Sequence, residues 1–277
     1  MEFTESAFTF DCKKNILTGI LSRPELPLSR GVLIIVGGPQ YRTGSHRQFT
    51  LLSRDLARAG IPCMRFDYRG MGDSTGDLHT FENIQEDIHC AVNAYYTRCP
   101  ELEQVVLWGL CDAASAAVFY AHNDLRIGGL VLVNPWVRTP QGEAKTQLKH
   151  YYLSRLINPD LWRKLFRGKF EFGDACKDIL GAILKLKTPD SEKKLPLPDK
   201  MRSSLEKFQG DILLILSGND LVAREFEDVV KASWQWRNLL NTPKMTRHEL
   251  PGADHTFSCR LWQDQVAQWT CEWISKI

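Results

Sequence analysis

Several features are missing from this chain of 277 residues, and each absence excludes a class of protein. No part of the sequence has the roughly 20 consecutive apolar residues of a transmembrane helix, so we expect no stable insertion in a membrane. The amino end, MEFTESAFTFDCKK, holds acidic residues and no long apolar stretch, unlike a secretory signal. Lys and Arg (35) nearly balance Asp and Glu (33), and the net charge of +2 gives no basis for nucleic-acid binding.

Metal and cofactor motifs are also missing. The seven histidines have no metal-ligand spacing, and the eight cysteines are scattered without a Cys-x-x-Cys pair or a disulfide framework. Neither Gly-x-Gly-x-x-Gly nor a P-loop occurs. We therefore expect no cofactor and no metal, and a cytoplasmic, reducing location in which most thiols are small buried side chains.

The apolar residues that are present follow an alternating pattern. Short β-rich runs alternate with longer amphipathic stretches, which predicts an α/β fold with a mostly parallel central sheet flanked by helices. The predicted strands of this sheet are residues 32–36, 63–66, 105–108, 130–133 and 212–216, after an antiparallel hairpin at 7–10 and 17–21. Because ligands bind at the carboxyl ends of such strands, the chemistry is expected in the loops that follow them.

One segment is too long for a simple crossover. Residues 139–204 show helical spacing and end in a stretch rich in Lys and Pro, which predicts a helical cap inserted into a core of residues 1–138 and 205–277. Aromatic side chains in this segment either pack its helices or line an acyl pocket.

A candidate nucleophile follows the strand at 105–108. The chain runs through Gly109-Leu110-Cys111 into a helix of small residues, which is the context of a nucleophile elbow. Gly109 and Ala113 are small as this tight turn requires, and the amino end of the helix favours a thiolate at Cys111. The alternative is a buried cysteine at a helix start, the interpretation we prefer for the other seven.

The partners of this nucleophile are predicted from two later loops. Asp220 follows the strand at 212–216, and His255 follows a short strand further on. The order nucleophile, acid, base matches the Ser, Asp, His order of α/β hydrolases. His255 is expected to accept the thiol proton, and Asp220 to fix its tautomer and stabilise the imidazolium. Asp254 and Asp112 are alternative acids, to which we assign structural roles.

An oxyanion hole needs two N–H donors near the nucleophile. The first is predicted to be the N–H of Asp112, the residue after Cys111. The second should come from the loop after the strand at 32–36, where Pro39 has no N–H to give. Gly38 or Gln40 must supply it, and Gly38 is preferred.

Substrate contacts are expected in the same loop. Arg42 and Arg47 either bind an anionic part of the substrate or form a solvated basic loop. Gln40 lies between them and the predicted oxyanion hole, and Trp136 follows a core strand as a candidate pocket wall.

Several segments resemble known α/β hydrolases. Residues 66–74, FDYRGMGDS, resemble the Asp-x-Arg-Gly-x-Gly-x-Ser loop common in that superfamily, in which Asp67 and Arg69 are expected to hold the loop by hydrogen bonds. More narrowly, residues 37–49, 108–114 and 134–138 resemble the type 1 hydrolases associated with the exosortase A system. That resemblance implies a role beside bacterial exopolysaccharide production and protein sorting.

The predicted activity is hydrolysis of a small-molecule acyl ester or thioester through a covalent Cys111 acyl-enzyme. An acyltransferase that moves the acyl group to a sugar or another acceptor would use the same triad. A non-catalytic binding module that retained the fold is the alternative of another class.

Overall fold

The computed structural model describes residues 1–38, 40–138 and 195–277. Within these ranges eight strands form one sheet, in the order β1-β2-β4-β3-β5-β6-β7-β8. The strands are β1 (Phe3–Cys12), β2 (Asn15–Pro24), β3 (Arg30–Ile35), β4 (Cys63–Asp67), β5 (Gln104–Leu110), β6 (Ile127–Val133), β7 (Asp211–Ser217) and β8 (Met245–Leu250).

Helices connect the strands. In the part of the chain that the structure describes they are α1 (Gln48–Arg58), α2 (Gln85–Arg98), α3 (Asp112–Ala121), α4 (Leu197–Lys207), α5 (Leu221–Ala232), α6 (Trp234–Leu240) and α7 (Arg260–Ile274). Single 3-10 turns at Ser45–Arg47 and Phe81–Asn83 precede α1 and α2. In the described ranges, no helix is long and apolar enough to cross a membrane.

The sheet is antiparallel only at one edge. β1 pairs with β2, and β2 with β4, in antiparallel register, and every later pair is parallel. Every residue of β4 is buried, and β3, β5 and β7 are buried except at their first residue, as expected for strands covered on both faces. The predicted α/β architecture, with its entry hairpin and mostly parallel sheet, is confirmed.

The parallel register brings distant loops to one edge. Cys111 follows β5, Asn134 follows β6, and Asp220 lies just beyond β7. The loop after β3 carries Gly38, and the loop after β8 carries His255. Because the carboxyl ends of parallel strands meet at one edge, residues more than 100 positions apart can form one site.

The described core is one unit, formed by Met1–Val137 together with Lys200–Ile277. Of the predicted cap, residues 139–194 lie outside the described residues, and residues 200–204 belong to this core unit.

Candidate active site

Cys111 occupies a sharp turn between β5 and α3. Its φ of 63° and ψ of −124° lie in a region that residues with side chains rarely adopt. The surrounding backbone holds this conformation: the Cys111 N–H donates to the carbonyl of Val133 at 2.9 Å, and its carbonyl accepts from the Trp136 N–H at 3.1 Å. A strained residue at a strand-to-helix turn is the geometry of a nucleophile elbow.

The small residues around this turn are required by close packing. A Cβ added at Gly109 would lie 2.6 Å from backbone atoms of Ala113, a separation that real side chains do not tolerate. Ala113, which stands where the usual motif has its second glycine, is fully buried. The turn therefore accepts a methyl group at position 113 but not at 109.

The structure brings the side chains of His255 and Asp220 together. Nδ1 of His255 lies 2.9 Å from Oδ2 of Asp220. The Asp220 carboxylate also accepts from the N–H groups of Val222 (3.2 Å) and Ala223 (3.1 Å), so it caps the amino end of α5. The cap and the burial of Asp220 fix the orientation of the carboxylate toward the histidine.

The electrostatics of the pair favour a charged imidazole. Burial lowers the pKa of His255, but hydrogen bonds to Asp220 and Cys111 and their negative charges outweigh it and raise the pKa to about 10. For Asp220, burial raises the pKa, whereas the hydrogen bond and charge of His255 and the two helix N–H groups lower it below its ordinary value. Cys111, His255 and Asp220 thus form one connected chain of side chains.

Asp254 takes the structural role expected of it. Its carboxylate accepts from the N–H of Ser258 at 3.0 Å and from the hydroxyl of the same residue. Burial raises its pKa, but the hydrogen bonds with Ser258 and Thr256 bring it below the ordinary value. This carboxylate is used inside its own loop.

Asn134 is a site residue that the sequence reasoning did not assign. It is fully buried directly after β6, with a left-handed φ of 44°. Its side-chain amide donates to the hydroxyl of Ser217 (2.8 Å) and to the backbone carbonyl of His255 (3.1 Å), and its Oδ1 accepts from the Ser217 N–H (2.8 Å). The signal that could have found it is an amide side chain immediately after a buried apolar strand.

The predicted oxyanion hole differs from expectation at Gly38. Its N–H, expected to be open to substrate, donates to Oδ2 of Asp112 at 3.0 Å. Asp112, whose own N–H is the first predicted donor, therefore binds the second predicted donor, the Gly38 N–H, with its side chain. Burial raises the pKa of Asp112, and nearby backbone N–H groups and the charge of His255 offset this only in part.

A cavity of about 220 Å³ adjoins Cys111. Its lining residues come from the loop after β3, the start of α1, the Cys111 turn and the loop after β8: Gly37, Gly38, Gln40, Phe49, Leu110, Cys111, Asp112 and His255. Gln40 thus lines the same cavity as Cys111, and its role as a substrate contact stays a prediction.

The other predicted substrate residues lie elsewhere. The guanidinium of Arg42 pairs with the carboxylates of Asp67 and Asp73, and its N–H donates to Asp67 Oδ1 at 2.6 Å. Arg47 is exposed at the start of α1. Trp136 is half-buried, and its backbone N–H donates to the carbonyl of Cys111. Arg42 is therefore engaged in ion pairs within the protein, an arrangement that neither of its two predicted roles, a substrate contact or part of a solvated basic loop, includes.

The loop after β4 is pinned as expected. Arg69 donates from Nε and Nη2 to both carboxylate oxygens of Asp87, each at 2.8 Å. Asp67 is fully buried and also accepts from the N–H of Asp73 at 3.1 Å. These contacts position the loop and leave the chemistry to other residues.

The cysteines of the described residues are all free thiols. Cys12, Cys63 and Cys99 are buried, Cys259 is exposed, and Cys111 lines the cavity. In the described ranges, no group of three or more His, Cys, Asp or Glu is arranged to hold a metal ion.

The sheet order, the turn at Cys111 and the order of the three site residues along the chain define the α/β-hydrolase fold. The sequence profile of the alpha/beta hydrolase family matches residues 32–269, and the chain belongs to this family.

Two solved esterases share the fold. An esterase of Pyrococcus furiosus superposes with a TM-score of 0.67 at 14% identity, over 99% of this chain and 93% of that one. A thermostable carboxyl esterase of Bacillus coagulans superposes with a TM-score of 0.64 at 18% identity, over 100% and 99% of the two chains.

A curated relative is similar in sequence. The quorum-quenching protein AidA of Acinetobacter baumannii (strain MDR-ZJ06) is 26% identical over 184 residues, which is 64% of this chain and 54% of that protein. The matched part thus spans about half the length of this relative.

Proposed function

We propose that this protein hydrolyses carboxylic esters or thioesters through a covalent acyl-enzyme on Cys111. The observation that carries the proposal is the connected chain of Cys111, His255 and Asp220, in which Cys111 has the strained backbone of a nucleophile elbow. The esterases that share the fold support the same reaction class.

Acylation would begin with transfer of the Cys111 thiol proton to His255. The raised pKa of His255, about 10, favours this transfer and leaves a protonated ring beside the sulfur. The sulfur attacks the substrate carbonyl carbon, and the C=O π electrons move to oxygen. As the tetrahedral intermediate collapses, the bond to the leaving alkoxide or thiolate breaks, and that group takes the proton of His255.

Deacylation would reverse the roles. Neutral His255 takes a proton from water, and the resulting hydroxide attacks the thioester carbon. The carbon–sulfur bond breaks, the product acid leaves, and the thiolate and the protonated imidazole are restored. Throughout, the Asp220 carboxylate stabilises the positive ring and holds its Nδ1–H.

The test is a kinetic comparison on a panel of aryl esters and acyl thioesters. Cys111→Ala is expected to reduce kcat by about 10³-fold or more, because the covalent route is lost. Cys259→Ala removes an exposed thiol that does not line the cavity and serves as the matched control, with an expected activity equal to that of the unaltered protein. Undiminished activity in Cys111→Ala would exclude the proposed nucleophile.

Transfer to an acceptor other than water is the second candidate function. A thioester intermediate passes its acyl group to hydroxyls and amines as well as to water. The resemblance of residues 37–49, 108–114 and 134–138 to exosortase-associated hydrolases favours a sugar hydroxyl as acceptor and a cytoplasmic role beside exopolysaccharide synthesis. Adding monosaccharides to the assay and measuring acylated sugar against free acid separates the two reactions.

A further inference from the structure

The carboxyl of Asp112 is a half-buried titratable group beside Cys111 that the proposed mechanism does not use. It belongs to the first residue of α3, and its own N–H is the expected first donor of the oxyanion hole. Its Oδ2 accepts the N–H of Gly38, the expected second donor, at 3.0 Å. The carboxylate therefore takes the hydrogen bond that the substrate oxyanion needs.

The loop after β3 is shaped around this carboxylate. A Cβ added at Gly37 would lie 2.1 Å from Asp112 Oδ1, so any side chain at position 37 would collide with the acid. Gly38 has a left-handed φ of +58°, which is the conformation in which its N–H meets Oδ2. Two consecutive glycines thus accommodate one carboxylate.

The carboxylate is held incompletely in this position. Oδ1 is buried and has no hydrogen-bond partner among the described residues. A buried acceptor without a hydrogen-bond partner costs free energy, and this cost favours rotation of the side chain out of its position. The cavity of about 220 Å³ beside Cys111 provides space for the rotated group.

A negative charge at this place also opposes the proposed chemistry. The oxyanion of the tetrahedral intermediate would form at the same N–H groups, and two like charges a few ångströms apart repel. Substrate and carboxylate therefore exclude each other from the Gly38 N–H.

We propose that the Asp112 side chain occupies the oxyanion hole of the resting enzyme and controls turnover, because it must rotate away before Gly38 can bind the oxyanion. This inference rests on the proposed function at Cys111. Asp112 acts here as a positioning residue that works through the Gly38 N–H.

The kinetic test uses variants that separate the hydrogen bond from the charge. Asp112→Ala leaves the Gly38 N–H open, and the rate of Cys111 acylation in a single turnover should rise about tenfold or more, with little change in KM. Asp112→Asn keeps an acceptor oxygen at the same place and should stay closer to the unaltered enzyme. Asp77→Ala removes an exposed carboxylate in another loop and should change nothing.

A second readout follows the hydrogen bond itself. In an amide NMR spectrum, the Gly38 proton should move upfield in Asp112→Ala, because the bond to the carboxylate is lost. If Asp112→Ala folds poorly, Asp112→Ser can replace it, because the serine side chain is too short to reach Gly38 and should give the same upfield shift. If Asp112 had only a structural role, its replacement would not increase the rate of Cys111 acylation.

The outcomes distinguish the two proposals. If Asp112→Ala acylates no faster than the unaltered enzyme, or the Gly38 amide does not shift, control by Asp112 is wrong while the Cys111 mechanism stands. If neither protein acylates Cys111 at all, the proposed function fails and this inference fails with it.

Discussion

The side-chain amide of Asn134 donates to the backbone carbonyl of His255 at 3.1 Å, across 121 positions of the sequence. The same side chain exchanges two hydrogen bonds with Ser217, one through its amide and one through its Oδ1. One buried residue therefore connects the loop of the predicted base to the ends of β6 and β7, and we expect it to help position His255.

Replacing Asn134 should affect two measurable quantities: kcat, through the position of His255, and the free energy of unfolding, through the Ser217 hydrogen bonds. Asn134→Gly keeps the left-handed backbone and removes the side chain, so kcat should fall about tenfold to 100-fold as His255 loses its tether. Leaving the Ser217 N–H without its partner should also lower the free energy of unfolding by about 1–3 kcal/mol. Steady-state kinetics and urea unfolding measure both effects, and unchanged kcat in a folded variant would contradict the positioning role.

Asp220 has two roles that substitutions can separate: it caps α5, and it forms a hydrogen bond with His255. Asp220→Asn retains an oxygen to cap α5 but removes the charge that stabilises the imidazolium, so kcat should fall by about 10³-fold or more with little loss of stability. Asp220→Ala loses the cap as well, at a cost of about 1 kcal/mol. Equal stability of the two variants would argue against the capping role, and equal activity of Asp220→Asn and the unaltered protein would argue against the triad.

Much of this fold was predictable because the central strands are nearly continuous apolar runs. The predicted residues 105–108 lie inside β5, Gln104–Leu110, and residues 212–216 lie inside β7, Asp211–Ser217. The entry hairpin extends further than predicted, as Phe3–Cys12 and Asn15–Pro24. Its residues are partly exposed, so apolar content alone underestimates its length.

The site was predictable only where position in the fold defines a residue's role. Cys111, Asp220 and His255 each follow a strand, and the parallel sheet brings them together. The contacts of Asp112 with Gly38, and of Asn134 with His255, depend on loop conformations and on side-chain rotamers, which local sequence patterns do not encode. The ion pairs of Arg42 were not foreseen for the same reason, because its partners Asp67 and Asp73 come from another loop.

The titration of His255 should depend on both of its partners. Its ring is expected to stay protonated until pH approaches 10, and Cys111→Ala and Asp220→Asn should each lower this pKa, because each removes a hydrogen bond and a charge that raise it. Imidazole NMR signals followed against pH measure this. His248 is an internal reference, since burial and Lys276 lower its pKa more than Glu272 raises it, and neither variant alters that site.

The same shift has a consequence for stability. The folded protein binds the His255 proton more tightly than the unfolded chain, whose imidazole titrates near 6.5. The resulting stabilisation is fully present below about pH 6.5 and is lost as pH rises toward about 10. A His255→Gln variant should therefore be less stable than the unaltered protein at pH 6, and the difference should shrink at higher pH; a constant difference would contradict the shift.

Gly109 should tolerate no side chain. Gly109→Ala places a Cβ 2.6 Å from the Ala113 backbone, so the Cys111 turn must deform and both activity and thermal stability should drop. Gly252→Ala is the matched control, because its Cβ would approach only Trp262, at 4.0 Å. Melting temperatures and ester hydrolysis test the pair, and a Gly109→Ala variant that matches Gly252→Ala would argue against the tight turn.

Arg42 should matter for the fold more than for substrate charge. Arg42→Ala leaves the buried Asp67 carboxylate without its cation, which should lower the free energy of unfolding by about 3 kcal/mol. Arg47→Ala, at an exposed position of the same loop, should be nearly neutral. Urea unfolding measures both variants. A stable Arg42→Ala protein with a raised, salt-dependent KM for anionic esters would instead restore the substrate-binding role.

The most direct test of the Cys111 acyl-enzyme is mass spectrometry of the intact protein, quenched in acid during reaction with an activated ester. We expect one added acyl group, located by peptide mapping on Cys111 and absent from Cys111→Ala. The adduct should be retained longer in His255→Ala, because that variant cannot activate the water. Turnover without any adduct on Cys111, or an acyl group on another residue of the active enzyme, would exclude Cys111 as the nucleophile.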